Sequence, residues 1–576
     1  MKRILTYLSA YKKEAVLAPL FKLLEAVFEL FVPLVMAQII DIGIGTGDYA
    51  HVAKMGAILA ALAIIGLSVS VTAQFFAAKA AVGTGTALRQ ALFDHIMDLD
   101  YTRIDRTGTS TLITRMTSDI NQVQSGINMT LRLFLRSPII VLGASIMAFT
   151  IDVRSALIFL AAVPLLTLVV ALITKISLPL YRKVQGALDN VLLSTRENLT
   201  GARVLRAFRQ EEAEKARFSD KNAALVALQM HVGRIGALMN PLTLVIVNGA
   251  IIYLIYTGAL RVNAGILTQG QVVALVNYMS QILVELIKLA NLIVLMTKAA
   301  ACAQRISDVL ATENEEADNP APGAVANAPY LVFDRVSLTY AGAGAEALSD
   351  LSFTAEKGQT IGIIGGTGSG KTSLVNLLAG FYPATSGGIY LEGTNLRDTD
   401  PALLRRKVGI VPQKAVLFGG TVRSNLLWGN PDADDETLWR ALRMAQAEEI
   451  VRGKEGQLDA EVAQGGRNFS GGQKQRLTIA RALAADPEIL ILDDSASALD
   501  YLTESRLRAE IASLKETTVF IVSQRASSIM AADRILVLDD GHLAGMGTHR
   551  ELLESCGIYR EIYETQFETA GKEAAV

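Results

Sequence analysis

Apolar residues are spread unevenly along the chain. Six long apolar stretches, at roughly 15–43, 55–78, 133–151, 154–180, 236–260 and 268–298, each reach or approach the ~20 residues that a helix needs to cross a bilayer. The long connections 80–132 and 181–235 are polar, yet apolar positions recur in them at helical spacing, as Val204, Leu205 and Phe208 do in RVLRAF. They are predicted to be helical extensions of the spans rather than separate domains. The run TENEEADNPAPGAVANAPY, 312–330, is rich in acids, Pro, Gly and Ala and reads as an exposed linker. Beyond it, short apolar strands such as LVF and TIGIIG alternate with helical segments, the pattern of an α/β domain. The expected fold is therefore an all-α transmembrane domain over 1–311, a linker over 312–330 and an α/β domain over 331–576, with no internal repeat.

Composition agrees with a membrane half and a soluble half. Hydrophobic residues make up 51% of the 576, and mean hydropathy is +0.35, high for a wholly soluble chain. The net charge of -2 provides no basic footprint for nucleic acid, so that partner is set aside. Cys302 and Cys556 are the only cysteines, too few for a disulfide framework or a thiolate metal cluster. Lys2, Arg3, Lys12 and Lys13 precede the first span, and both long connections are rich in Lys and Arg, whereas connections such as GIGTGDYAH and IDVR carry few. The positive-inside bias places both termini, both long connections and the α/β domain in the cytoplasm of a multi-pass protein, expected in the plasma (inner) membrane. The basic start MKRILTYLSAYKK reads as an interfacial helix before a retained first span, because the apolar segment behind it is long and has no small-residue cleavage site.

Within the α/β domain, TIGIIGGTGSGKTSLVNLLAG sets Gly365, Gly370, Lys371 and Thr372 at G-x-x-x-x-G-K-T spacing, after a strand and before an apolar-periodic helix. Such a loop, here Gly365, Gly366, Thr367, Gly368, Ser369, Gly370, Lys371, Thr372 and Ser373, turns backbone N–H groups toward phosphate oxygens. Lys371 would reach the terminal phosphates, and the Thr372 hydroxyl can ligate Mg²⁺. Asp493, at the end of the apolar strand EILIL, supplies the carboxylate that P-loop enzymes place near that ion. ATP with Mg²⁺ is the expected ligand.

Several further motifs, in this order, resemble those of the ATP-binding cassette transporters, specifically exporter-type half-transporters with six spans and a C-terminal nucleotide-binding domain. Tyr340 in VSLTY is similar to the aromatic that stacks on adenine, and Gln413 in VGIVPQ to the Q-loop residue near magnesium. FSGGQKQR, with Ser470, Gly471, Gly472 and Gln473, resembles the signature that faces the ATP held by the other subunit; alone, Ser followed by Gly-Gly reads as an ordinary capped helix. SALD, ending in Asp500, resembles the D-loop. The resemblance implies ATP-driven transport by a dimer of such halves, with turns near RIDRTGTSTL (103–112) and LTGARVLRAF (199–208) as coupling helices.

Two positions depart from that pattern. Asp494 stands where the family usually has the Glu that polarises the attacking water, and Gln524, in FIVSQRASSI, stands where a His usually meets the γ-phosphate. An Asp holds its carboxylate back by one C–C bond, about 1.5 Å, and misplacement by about 1 Å can lower a rate about 10²-fold. The expected result is a chain whose own P-loop binds MgATP but hydrolyses it poorly, paired with a different half that has an intact Glu and His. Alternatives are a homodimer using Asp494 as base, an exporter-fold importer, and an ATP-gated regulator or channel. Gln464, before the signature, also replaces a frequent Glu. In the membrane half, the ionisable residues Lys22, Glu25, Glu29, Glu285 and Lys288 are expected either to line the pathway or to pair with one another. Asn248, Asn277 and Tyr278 are further polar positions there, and the cargo is left open.

Overall fold

The computed structural model describes residues 6–313 and 329–573, so most of the expected linker and the first five residues lie outside the described part. Two compact units emerge. One comprises the chain up to Asp98 together with Thr109–Thr312, and the other Leu99–Gly108 together with the chain from Glu313 onward.

In the first unit, six helical stretches are long and apolar enough to cross a membrane: Thr6–Ile44, Tyr49–Asp98, Thr109–Ile151, Val153–Thr200, Glu211–Asn263 and Gln269–Leu310. The polar connections are indeed continuations of these helices; at about 1.5 Å per residue, the 48 residues of Val153–Thr200 run for about 70 Å. The third stretch is segmented, with a break at Phe134–Leu135 between helices Ile120–Leu133 and Arg136–Ile151. Local chemistry explains the ends. Asp152 accepts from the N–H of Ser155 at 2.8 Å, capping the fourth stretch, and takes Arg261 Nη2 of the fifth at 2.6 Å. Thr268 forms a capping box with Gln271 at the start of the sixth, while Asp41 accepts from Thr268 Oγ1 at 2.5 Å and Gly270 N at 2.7 Å, tying the first stretch to the sixth. The core between the helices is built from Leu30, Ala144, Phe159, Leu166, Leu254, Leu275, Tyr278 and Ile282, all buried. Many large apolar side chains, such as Leu142, Ile146, Leu160 and Ile252, point outward, as a lipid-facing helix requires.

The second unit is α/β. Its six-stranded sheet runs, edge to edge, His542–Gly547, Arg534–Asp539, Thr360–Gly365, Thr518–Val522, Ile489–Asp493 and Val408–Val411; only the first of these pairs antiparallel. The parallel strands are buried on both faces, so their sequences read as unbroken apolar runs. Along ILILD, Ile489 and Ile491 enter one core and Leu490 and Leu492 the other. A four-stranded antiparallel sheet, built on Leu331–Leu338, covers one side. The same unit holds the short helix Tyr101–Thr107, capped by Asp100; its Tyr101 ring lies 4.7 Å from that of Phe381, and Asp105 is hydrogen-bonded to the Tyr382 hydroxyl.

Candidate functional site

Parallel pairing brings three strand ends together. Val522 lies opposite both Ile363 and Asp493, so the P-loop after Gly365, the aspartate pair 493–494 and the switch segment after Val522 emerge side by side at the carboxyl edge of the sheet. This is the edge at which open α/β sheets hold ligands. A cavity of about 310 Å³ opens there, lined by Thr367, Gly368, Ser369, Gly370, Lys371, Thr372 and Ser373 from the loop, with Gln413, Asp493, Asp494, Ser523 and Gln524 around it; Glu346, Asp540 and Gly541 complete the rim.

The loop geometry depends on glycine. Gly370 has φ +94°, and a Cβ there would meet Leu348 Cδ2 at 2.6 Å and Ala347 O at 2.8 Å. Gly368, at φ +84°, faces open space, as backbone meant to approach a ligand should. Helix Lys371–Leu378 then begins with its N-terminus at the cavity. Gly365 and Gly366 lie behind the loop and contribute carbonyls, which accept from Lys371 Nζ at 2.9 and 2.6 Å; Ser369 Oγ lies 3.3 Å from the same ammonium. Asp494 sits in the left-handed region at φ 45°, a conformation that Asp tolerates better than most side chains. Its N–H donates to Val522 O at 3.0 Å, and its carbonyl accepts from Ser497 Oγ at 2.9 Å, so its backbone is fixed at both ends.

The charges in this cavity fit a triphosphate with a divalent cation. Burial pushes the Lys371 ammonium below its ordinary range despite Asp494 and Asp493 nearby. Burial, and then the Asp494 charge, push the Asp493 carboxyl above its own, with Lys371 opposing. Neither group's burial is fully offset by the charges around it, and phosphate oxygens and a metal ion would supply the rest. Thr372, Gln413 and Asp493 share the cavity and are the residues that would hold Mg²⁺.

The remaining expected residues lie elsewhere. Tyr340 flanks the cavity without lining it: its hydroxyl donates to Ser373 Oγ at 3.2 Å and accepts from Asn376 Nδ2 at 3.1 Å, and its ring packs edge-on against Tyr382. Ser470 and Gln473 cap each other at the start of helix Gly471–Ala484, with Ser470 N donating to Gln473 Oε1 at 3.0 Å. The space beside Gly471 is open, and a Cβ on Gly472 would meet Ala498 O at 3.0 Å, so this turn rests against the SALD segment. Asp500 caps helix Tyr501–Ala512 by accepting from Thr503 N at 2.9 Å. None of Ser470, Gly471, Gly472, Gln473 or Asp500 lines the same chain's cavity.

In the membrane unit the five singled-out ionisable residues converge on one that sequence reasoning passed over. Arg136 Nη1 donates to Glu285 Oε1 at 2.6 Å, its Nη2 donates to Glu29 Oε2 at 2.6 Å, and its Nε lies 3.8 Å from Glu25. Lys22 donates to Glu25 at 2.5 Å, and Lys288 to Glu285 at 2.8 Å. The signal was available: Arg136 falls inside a predicted span while three acids in two other spans lacked cations enough to match them. Glu29, Glu285, Lys288 and Asn277 also line a second cavity of about 410 Å³ with Gln281 and Ser280. Tyr278 is buried and donates to Leu30 O at 2.5 Å.

Comparison with known proteins follows the same division. A family model described as the ABC transporter transmembrane region matches residues 16–286, and one described as ABC transporter matches 348–497. The chain is similar to an uncharacterized ABC transporter ATP-binding protein of Mycobacterium tuberculosis strain CDC 1551, at 35% identity over 97% of each chain. It is similar to another from Bacillus subtilis strain 168, at 34% identity over the full length of both. Among solved structures, a bacterial Atm1-family ABC exporter with ATP bound aligns with a TM-score of 0.80 and 25% identity, over 97% of this chain and 99% of that one.

Proposed function

Because the chain belongs to the ATP-binding cassette (ABC) transporters, as an exporter-type half-transporter, we propose that it is one half of a heterodimeric exporter. In this reading its own P-loop site binds MgATP but hydrolyses it weakly, and its signature completes the partner's site. ATP-driven transport by a dimer in a lipid bilayer is the activity of the family. The finer assignment rests on one observation: Asp494 and Gln524, the two departures from the family pattern, line one cavity together with Lys371, Thr372, Gln413 and Asp493.

Phosphoryl transfer is governed by positioning and electrostatics, and bound Mg²⁺ would offset charge on the phosphate oxygens. The protein's part is to orient and polarise. The loop amides and Lys371 would hold the phosphates, and Asp493, Thr372 and Gln413 would hold the metal. Asp494 would act as the base, but its carboxylate is about one C–C bond, or 1.5 Å, short of a Glu. Gln524 can donate a hydrogen bond to phosphate, but unlike His it cannot carry a positive charge. Tyr340 is assigned to the adenine side, and Ser470, Gly471 and Gly472, whose helix N-terminus is open, to the nucleotide of the partner. Asp500 belongs to the D-loop between the two sites.

Leu199, Val204 and Phe208 lie exposed close together in sequence around the turn at Gly201, an apolar surface that supports assembly with a second chain. The Lys and Arg asymmetry of the connections supports an orientation with both termini and the nucleotide-binding domain in the cytoplasm, and the plasma (inner) membrane is the membrane assigned in this reading. Native mass spectrometry of the tagged chain, extracted gently from its own membranes, tests the proposal. A complex with a different half that carries the intact Glu and His is the expected result. A mass of twice this chain overturns it and leaves Asp494 as the base of both sites.

A further inference from the structure

The segment that carries Gln524 is gripped by a residue some forty positions later. Gln566, on the C-terminal helix Gly557–Glu573, donates from Nε2 to the Gln524 carbonyl at 2.7 Å and accepts at Oε1 from the Ala526 N–H at 2.9 Å. One side-chain amide thus pairs with both backbone groups flanking Arg525, as a neighbouring strand would. The rest of the segment is fastened elsewhere. Ser523 N donates to Ile363 O in the P-loop strand at 3.1 Å, and Ser523 Oγ accepts from Arg525 N at 2.9 Å. Ser528 Oγ donates to the buried Glu504 at 2.6 Å, Arg525 Nη1 lies 3.6 Å from the same carboxylate, and Arg508 donates to Ser527 O. The upstream end is therefore held by the sheet and the downstream end by the helix after the D-loop. The Gln524 carbonyl between them is held by the C-terminal helix.

We propose that Gln566 is a positioning residue for the nucleotide site. By fixing the Gln524 carbonyl and the Ala526 N–H, it aims the Gln524 side chain at the terminal phosphate, so that the site prefers ATP to ADP. This rests on the reading of Gln524 as the phosphate-facing residue, and the two are separable by experiment. Hydrogen bonds to charged groups contribute about 1.5–3 kcal/mol, so removing the Gln524 side chain should lower the ATP-to-ADP affinity ratio about tenfold or more. Displacing it should forfeit part of that, about three- to tenfold.

The assembled transporter in mild detergent is photolabelled with azido-ATP or azido-ADP in the cold, with Mg²⁺, and label on this chain is quantified by mass spectrometry. Gln566→Met keeps the side chain's bulk and removes both hydrogen bonds. Gln566→Glu keeps the acceptor for Ala526 but sets a carboxylate against the Gln524 carbonyl. Both are expected to weaken azido-ATP labelling while leaving azido-ADP labelling within about twofold, and the Glu variant serves if the Met variant does not fold. A loss of ATP and ADP labelling in parallel would mark a merely structural role and overturn the proposal. If Gln524→Ala lowers the ratio and both Gln566 variants leave it unchanged, the positioning role fails alone. If Gln524→Ala itself leaves the ratio unchanged, both readings fail. The ratio is read on this chain whether or not its site turns ATP over.

Discussion

Two lysines are almost equally buried and are treated in opposite ways. Lys22, 5% exposed in the first membrane helix, meets Glu25 at 2.5 Å and Ser70 at 3.0 Å, and belongs to a set in which Lys22, Arg136 and Lys288 balance Glu25, Glu29 and Glu285. Lys371, 9% exposed in the nucleotide site, touches two carbonyls and a hydroxyl and makes no ion pair among the described residues. A charge matched within the chain is part of the architecture, because removing its partner strands it in a poor solvent. A charge buried with no ion pair and only partial compensation from nearby carboxylates is held ready for a ligand, and the stability given up in burying it is recovered when the ligand arrives.

The sharpest way to break the matched set is through its centre. Arg136→Met leaves Glu285 with Lys288 as its ion-pair partner and Ser137 Oγ at 2.7 Å, and takes from Glu29 its 2.6 Å partner. Breaking a buried pair by removing one member typically costs about 3–5 kcal/mol, and a large fall in thermal stability in mild detergent is the expected outcome. Glu285→Gln in the Arg136→Met background should restore part of it, by removing the most buried of the stranded carboxylates. An unchanged melting temperature in the single variant would show that water or lipid headgroups already satisfy these carboxylates.

The counterpart at the other lysine behaves in the reverse manner. Lys371→Met should weaken nucleotide labelling of this chain about 10²-fold, roughly 2.7 kcal/mol. The ligand-free protein should unfold at about the same temperature, since a buried ammonium only partly offset by Asp494 and Asp493 has gone. A fall in stability comparable to that of Arg136→Met would remove the distinction between the two lysines.

What the sequence disclosed follows the same line between local and distant interactions. The spans, the helical connections and the P-loop were legible because each is written in neighbouring residues: an apolar run, a 3.6-residue period, a fixed glycine spacing. The family resemblance already set Asp494 and Gln524 at one phosphate site, and the parallel pairing of Thr518–Val522 with both neighbouring strands is what brings them to one cavity. Arg136 was passed over because the groups it serves lie 107 and 149 positions away, and an Arg near the start of an apolar run reads as an interfacial residue. Gln566 carries no local signal at all; a polar residue on a terminal helix is ordinary until the fold lays it against the switch segment. The break at Phe134–Leu135 was equally silent, since neither residue is a helix breaker.

A smaller effect would refine the picture of the nucleotide site as a set of incompletely matched charges. The Asp493 carboxyl is held above its ordinary range by burial and by the Asp494 charge, so the ligand-free fold binds this proton more tightly than the unfolded chain does. The sign follows: that proton stabilises the ligand-free fold below the unfolded carboxyl's value, and the advantage is lost as pH rises through the folded one. Mg²⁺ needs the ionised carboxylate and competes with the proton. The gain in melting temperature that MgATP gives over metal-free ATP should therefore shrink as the pH falls from neutral toward the carboxyl's raised folded value. Asp493→Asn should leave a smaller gain with a weaker pH dependence, that of the ATP phosphate itself, because the titrating protein ligand is gone while Thr372 and Gln413 stay in the cavity. If the wild-type gain instead stays constant as the pH falls, Asp493 is not the carboxylate that meets the metal, and the neighbouring Asp494 takes its place.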